Sequence, residues 1–343
     1  MLTVLLPTHN GTDTLGRTLE ALCGVIAPAG GWKLLVVNNA STDNTEELVL
    51  SFRGRLPLEY LVEPRLGKPY ALNTGLDHVE GDLVVFTDDD VLPDPDWLVA
   101  WRSAVERHPK CSIFGGAIEP LYERDPPQWL FRTSWWGNLL FAKTDPLPAG
   151  PISPGSCIYG PNMAVRTTAL TDETRFDQRF QIGPIGLLGD EIDFVYRLAA
   201  RGNQACFAPG TRVRHIVNAG QLQLTWLLRR FYRQGKMLAT FEAQRNRTQV
   251  RKLFHVPRWQ IRRALTSCAI LPFVLPSFDR FRVFSRLAQL ASALGAIAQS
   301  RALHQDPQWR DLTSPSVAAD PTGGPLPRIR PTGGRADGDA SEM

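Results

Sequence analysis

No cysteine of this sequence stands in a CxxC pair. The 343 residues hold five, Cys23, Cys111, Cys157, Cys206 and Cys268, all far apart. That spacing argues against a zinc site and against a disulfide framework. A large excess of one charge is missing too. The formal net charge is +4, too small a surplus to imply nucleic acid, so no nucleic-acid partner is expected. Long apolar runs are missing. The run 265–278 holds two prolines and 283–298 holds an arginine, and both fall short of the roughly 20 residues of a membrane span. No Gly-x-Gly-x-x-Gly follows an early strand-like run, which excludes a dinucleotide-binding Rossmann domain. There is no internal repeat. The chain opens directly into "LTVLLPTHN", without a basic leader region or a cleavage site. No signal peptide is expected, and the reducing cytoplasm is the default address.

What is present is a regular alternation. Apolar runs at 2–7, 33–38, 58–62 and 82–87 are separated by helix-like segments at 12–23, 44–53, 68–79 and 96–107. Strand and helix in turn, with near-continuous apolar strands, imply an α/β fold with a mostly parallel sheet covered on both faces. Ser41 and Asp43 precede one helix and Asp94 another, as caps do.

Residues 120–156 are rich in Pro, Trp and Gly, too long a stretch for an ordinary connection, which predicts a lid or binding loop. Residues 156–167 read as a strand and 189–202 as a helix with Gly202 as its C-terminal stop. The stretch "QACFAPGTRVRHIV" reads as two short strands around a turn. From 221 onward arginine mixes with bulky aromatics at helical spacing, and past about 305 the chain turns to Pro, Gly, Asp and Arg. The expected organisation is a domain over 1–220, split into halves at 118/119. A helical membrane-associating region over 221–304 and a disordered tail over 305–343 would follow.

The chemistry gathers where carboxylates do. Asp88, Asp89 and Asp90 end the fourth apolar run. The C-terminal ends of parallel strands open into a crevice where ligands bind. Three carboxylates there repel one another unless a cation joins them, and Mg²⁺ or Mn²⁺ suits such hard oxygen ligands. A solvated helix start would also tolerate them.

Five stretches in order resemble a known family: "VLLPTHNGTDTLGRTLEAL", "LLVVNNASTDNTEEL", "EPRLGKPYALNTGLDHVEGDLVVFTDDDVLPDPDWL", "GPNMAVRT" and "GDEIDFVYRL". Together they resemble the family 2 glycosyltransferases of GT-A fold, from about residue 2 to about 240.

The resemblance implies a nucleotide-diphosphate sugar as donor. Pro7, Thr8 and Asn10 take the places that contact the nucleotide, and Asn38 and Asn39 those that hold base and ribose. The family usually has Asp at that point, so UDP, dTDP and GDP all stay open. Lys68 and Asn73 match positions near the donor phosphates and ribose. The DxD motif falls on Asp88 and Asp90. Asp90 is the first metal ligand, Asp88 touches the ribose or the metal through water, and Asp89 is a further donor-side contact or a solvated acid. His215 is placed as a late metal ligand.

The family's Gly-Glu-Asp-x-Asp/Glu pattern reads here Gly189-Asp190-Glu191-Ile192-Asp193. The acids of the pair are swapped. Glu191 takes the place of the catalytic base, with Asp190 its rival. Asn162, Met163, Asp193 and Trp136 are expected to shape the donor-sugar or acceptor pocket. The implied reaction is an inverting displacement at the anomeric carbon by an acceptor hydroxyl. "QLTWLLRRFYRQG" lacks the QxxRW motif of processive members, so transfer of a single sugar is expected. The acceptor implied is a cell-envelope glycan or a lipid-linked molecule. An anionic membrane surface is an expected partner, on the cytoplasmic face of the plasma (inner) membrane. Two other readings stay open: a non-catalytic scaffold of the same fold, and a nucleotidyltransferase.

Overall fold

The structure, a computed structural model, describes residues 1–132, 134–181, 187–244 and 252–305. Of the tail expected over 305–343, Gln305 ends a helix and the rest lies outside the described residues.

The nucleotide half is built from β1 (Leu2–Thr8), α1 (Leu15–Cys23), β2 (Trp32–Asn39), α2 (Thr45–Leu50), β3 (Leu58–Glu63), α3 (Lys68–Leu76), β4 (Leu83–Phe86), β5 (Val91–Pro93) and α4 (Trp97–Arg107). Strand β6 (Cys111–Tyr122), helix α5 (Ser134–Phe141), strands β7 (Gly150–Ile152) and β8 (Met163–Arg166), helix α6 (Asp190–Ala200) and strand β9 (Gln204–Val217) follow. Three helices, α7 (Leu224–Gln244), α8 (Arg258–Val274) and α9 (Arg280–Gln305), close the chain.

One sheet runs β3-β2-β1-β4-β8-β6-β9-β5, with β7 beside β9. Strands β3, β2, β1 and β4 are mutually parallel, as the alternation predicts. Beyond β4 the pairing is mixed: β8 is antiparallel to β4 and to β6, β9 is parallel to β6, and β5 and β7 are antiparallel to β9. The strands of this second half are joined by loops and by α4, α5 and α6 rather than by a regular series of parallel crossovers, so no one direction is imposed.

Side chains of β1 alternate between two cores, as a pleated strand must. Leu2, Val4 and Leu6 pack with Leu15, Leu19, Trp97 and Trp101 on one face. Leu5 faces the other core, with Ala71, Leu72, Phe194 and Val195. Helix α3 can lie this close because Gly75 has no side chain; a Cβ there would meet the Leu5 side chain. Strand β9 is one long strand where two short ones are expected. A register shift of the β6–β9 pairing between Gly116 and Ala117 absorbs the turn-like residues. Residues 156–162 are coil and a 3-10 turn, so the strand expected over 156–167 shrinks to β8.

Cys111 and Cys206, buried in β6 and β9, form a disulfide with Cα atoms 6.0 Å apart, against the expectation of none. They are 95 residues apart in sequence, a separation that carries no pairing signal. A third core of Leu130, Trp136, Phe141, Leu227, Phe231 and Phe284 ties the 128–141 segment to α7 and α9. Among the described residues no helix is long and apolar enough to cross a membrane.

Candidate active site

The ends of β1, β2 and β4 meet at one edge, and side chains lock their loops together. Thr8 donates its hydroxyl to Oδ2 of Asp89 at 2.6 Å. Thr18 donates to the Asp89 carbonyl at 3.0 Å. Asn10, at φ 52°, accepts from the backbone N–H of Thr42 at 2.8 Å, and its own N–H donates to Ser41. Pro7 is buried at the end of β1, paired in register with Val37. Asn38 donates to the Tyr60 hydroxyl at 2.7 Å and accepts from the Ser41 N–H.

Asn39 and Asn73 turn out to be clips for neighbouring backbone. Asn39 donates to the carbonyls of Glu63 and Arg65 and accepts from the Gly67 N–H at 2.6 Å. Asn73 donates to and accepts from the backbone of Phe176. Their amides leave little for base or ribose. Their work is to set the 63–68 loop and to dock α3 against the segment before α6. Glu63, which no motif marks, serves the same loop. It is buried, and the Arg65 guanidinium beside it holds its carboxyl at about 2, with Thr74 also donating.

That loop delivers Lys68. Its ammonium donates to Oδ1 of Asp88 at 2.5 Å. Burial disfavours its charge, but Asp88, Asp190 and Glu191 outweigh burial and raise its pKa. The acids of 88–90 and of 190–191, about a hundred residues apart in sequence, therefore meet around one lysine.

The three aspartates differ. Burial pushes Asp89 up to about 6, Thr8 opposes this, and Asp90 and Asp88 add to it. Asp90 is the reverse: burial alone would raise it, but the hydrogen bond and charge of His215, with Lys68, hold it low. His215 Nε2 lies 3.2 Å from Oδ2 of Asp90, and Nδ1 lies 3.0 Å from the carbonyl oxygen of Phe141. That carbonyl can only accept, so Nδ1 carries a proton, and Nε2 donates to Asp90 when it is protonated as well. Burial lowers His215, and Asp90 and Asp88 raise it further than burial lowers it. The other oxygen of Asp90, Oδ1, is buried without a hydrogen-bond partner. An orphan carboxylate oxygen beside a histidine nitrogen suits a divalent cation. Among the described residues, however, no three His, Cys, Asp or Glu side chains converge as a ready metal cluster. Any cation here needs oxygens from a ligand as well.

Helix α6 begins at Gly189, at φ 93°, and carries Asp190 and Glu191 in its first turn. Burial, then the charge of Asp190, push the Glu191 carboxyl up to about 8, against the pull of Lys68. Oδ2 of Asp190 is buried and unpartnered. Tyr159, a residue no motif singles out, has its hydroxyl pKa raised by burial first and by several acids including Glu191.

Four expected pocket residues have packing roles instead. Asn162 is fully buried, donating to the carbonyls of Ala117 and Thr211 and accepting from the Trp97 indole. Met163 is in the second core. Asp193 is buried and paired with Arg197 at 2.7 Å. Trp136 is packed between Phe231, Phe281 and Phe284. Apolar contact inside the protein explains this tryptophan without a sugar.

Residues 3–162 match the family described as Glycosyl transferase family 2. Over that stretch the chain is similar to glycosyl transferase family 2. Glycosyltransferase AglE of Haloferax volcanii is 30% identical over 121 residues, covering 35% of this chain and 40% of that protein. Validoxylamine A glucosyltransferase of Streptomyces hygroscopicus subsp. jinggangensis is 31% identical over 100 residues, 29% of this chain and 24% of that protein. The chain thus spans less than half the length of these curated relatives.

Among solved structures, S. aureus TarS 1-349 in complex with UDP-GlcNAc superposes with a TM-score of 0.51 at 16% identity, over 89% of this chain and 92% of that one. The mannosyltransferase PcManGT from Pyrobaculum calidifontis, in complex with GDP-Man and Mn²⁺, gives 0.50 at 20% identity, over 92% and 83%. At these identities the likeness is one of fold. With 89% and 92% of this chain covered, that likeness of fold reaches beyond residue 162.

Proposed function

We propose that this protein is a metal-dependent inverting glycosyltransferase. It moves one sugar from a nucleotide-diphosphate sugar to a hydroxyl of a cell-envelope glycan or lipid-linked acceptor. The observation that carries the reading is the convergence on Lys68 of Asp88, directly, and of the pair Asp190 and Glu191 through their charge. Sugar transfer needs a cationic edge for a leaving diphosphate and a base next to it. Binding of UDP-GlcNAc by TarS and of GDP-Man with Mn²⁺ by PcManGT supports the same donor class.

In this reading Lys68 contacts the diphosphate. Asp90 and His215 would hold a Mg²⁺ or Mn²⁺ ion, with Asp88 as a further candidate. The cation, when bound, neutralises charge on the leaving group. Glu191, or Asp190 beside it, takes the proton of the acceptor hydroxyl, and the oxygen attacks the anomeric carbon on the face opposite the nucleotide. A raised carboxyl pKa makes Glu191 a stronger base once ionised. The base and ribose contact the β2 edge near Asn38 and Ser41, with UDP, dTDP or GDP as candidates.

An anionic membrane surface on the cytoplasmic side is the proposed neighbour. It is supported by an exposed apolar strip on α8 and the turn after it: Leu265 (65% exposed), Phe273 (83%) and Phe278 (91%), with Arg258 and Arg262 close by. Aromatics and arginines mixed in this way suit the headgroup layer.

Release of nucleoside diphosphate from a panel of sugar nucleotides, with Mn²⁺ and with chelator, tests the reading. The wild type should hydrolyse at least one donor slowly, only with metal. Absence of turnover with every donor would favour the scaffold reading.

A further inference from the structure

Helix α7 brings a second cationic group to the acids of α6. Gly189 lies against it so closely that a Cβ would sit 2.8 Å from Sδ of Met237 and 3.2 Å from Phe241. Phe241 and Met237 also pack with Leu187 and Ile192. The start of α6 is therefore pinned to the middle of α7. From that part of α7 come Arg230 and Arg233, both half-buried.

Each guanidinium has five N–H donors, and the structure uses few of them. Nε of Arg230 donates to the Leu139 carbonyl at 3.3 Å, and one Nη of Arg233 donates to the Leu187 carbonyl at 3.3 Å. Nε of Arg233 is buried with no partner. Among the described residues no carboxylate lies within ion-pair distance of either arginine. Burial, and the charge of Arg233, bring Arg230 down to about 10, with Glu191 and Asp190 pulling it back up. Arg233 is lowered by burial and supported by the same two acids. Lys236, one turn on, is lowered by burial and by Arg233. Like charges three residues apart on one helix are unfavourable, and more so out of water. The arrangement is short of an anion.

We propose that Arg230 and Arg233 form a subsite for a phosphate group of the acceptor, held next to Asp190 and Glu191. This inference rests on the glycosyltransferase reading and adds a substrate class to it. The donor's diphosphate has its own cation, Lys68, on the sheet edge. A second phosphate binder carried by α7 therefore belongs to the other substrate. The planar guanidinium forks match phosphate oxygens with paired hydrogen bonds. The acceptor is thus a phosphomonoester or phosphodiester whose free hydroxyl lies a short reach from its phosphate, as a lipid phosphate or a soluble polyol phosphate would supply.

The test is calorimetric titration of glycerol 3-phosphate into the full chain, with Mg²⁺ and saturating nucleoside diphosphate. The wild type should bind it. Arg230→Gln and Arg233→Gln should each weaken that binding about tenfold, the loss of one charged hydrogen bond, with nucleoside diphosphate affinity unchanged. Arg230→Lys should keep part of the binding, and it stands in if the glutamine variants fail to fold. Phosphatidylcholine vesicles with and without phosphatidic acid distinguish the sources. Arginine-dependent pelleting with phosphatidic acid assigns the site to a lipid. Loss of glycerol phosphate binding without a change in pelleting assigns it to a soluble acceptor. No binding of glycerol phosphate to the wild type, equal binding by the variants, or loss of nucleoside diphosphate affinity in the variants would overturn the proposal. Phosphate binding in a chain that binds no nucleoside diphosphate would sink the donor reading and with it the acceptor role, leaving only a phosphate site at Arg230 and Arg233.

Discussion

Lys68 donates to Asp88 at 2.5 Å while its charge is also stabilised by Asp190 and Glu191. One side chain thus links the edge of the parallel strands to the first turn of α6. Replacing Lys68 with methionine removes a cation from the leaving-group side of the site. Steady-state kinetics of donor turnover should show kcat down by about 100-fold, the size seen when one preorganised electrostatic contact is lost. A change below twofold would place the diphosphate elsewhere.

Glu191 and Asp190 are separable by mutation. Loss of a general base lowers the rate by about 100-fold to 10,000-fold. Glu191→Gln should show that loss with nucleoside diphosphate affinity kept, and Asp190→Asn a smaller one. The reverse order would make Asp190 the base.

The pH dependence has a definite sign. Glu191 is raised to about 8 from the ordinary 4.5, so the folded state favours its protonated form. Its contribution to stability is fully present below about 4.5 and is lost as pH rises through about 8. A base works only when ionised, so activity should climb over the interval in which Tm declines. Glu191→Gln should flatten the Tm profile there. An activity profile flat from pH 6 to 9 would argue against Glu191.

Asp89 joins the β1 and β4 loops through Thr8. Thr8→Val leaves its buried carboxylate short of a donor, which should destabilise by about 1–3 kcal/mol, read by urea unfolding. Asp89→Asn should keep metal-dependent nucleotide binding, whereas Asp90→Ala should lose it. Equal losses would assign Asp89 to the metal.

Much of this was legible in the sequence. The alternation of apolar runs with helix-like segments shows that β1 to β4 form a parallel sheet, though not their order, because a strand buried on both faces has to be apolar throughout. The acids at 88–90 and 190–191 announce themselves as costly charge. The amides did not: a motif shows that Asn39, Asn73 or Asn162 occurs, but not that backbone groups far along the chain use up its donors. The packing of Trp136 was not legible either, since its partners Phe281 and Phe284 lie about 145 residues away. The Cys111–Cys206 disulfide depends on β6 and β9 being neighbours, a long-range pairing that spacing does not encode.

The most direct test of the account is thermal unfolding with UDP, dTDP and GDP, each with and without Mn²⁺. A ligand at a hundred times its Kd stabilises by about 2.7 kcal/mol, which for a chain of this size raises Tm by several degrees. At least one nucleotide should do so, only with the metal, and not in Asp90→Ala. No shift with any nucleotide, or a shift that ignores both the metal and Asp90, would contradict it.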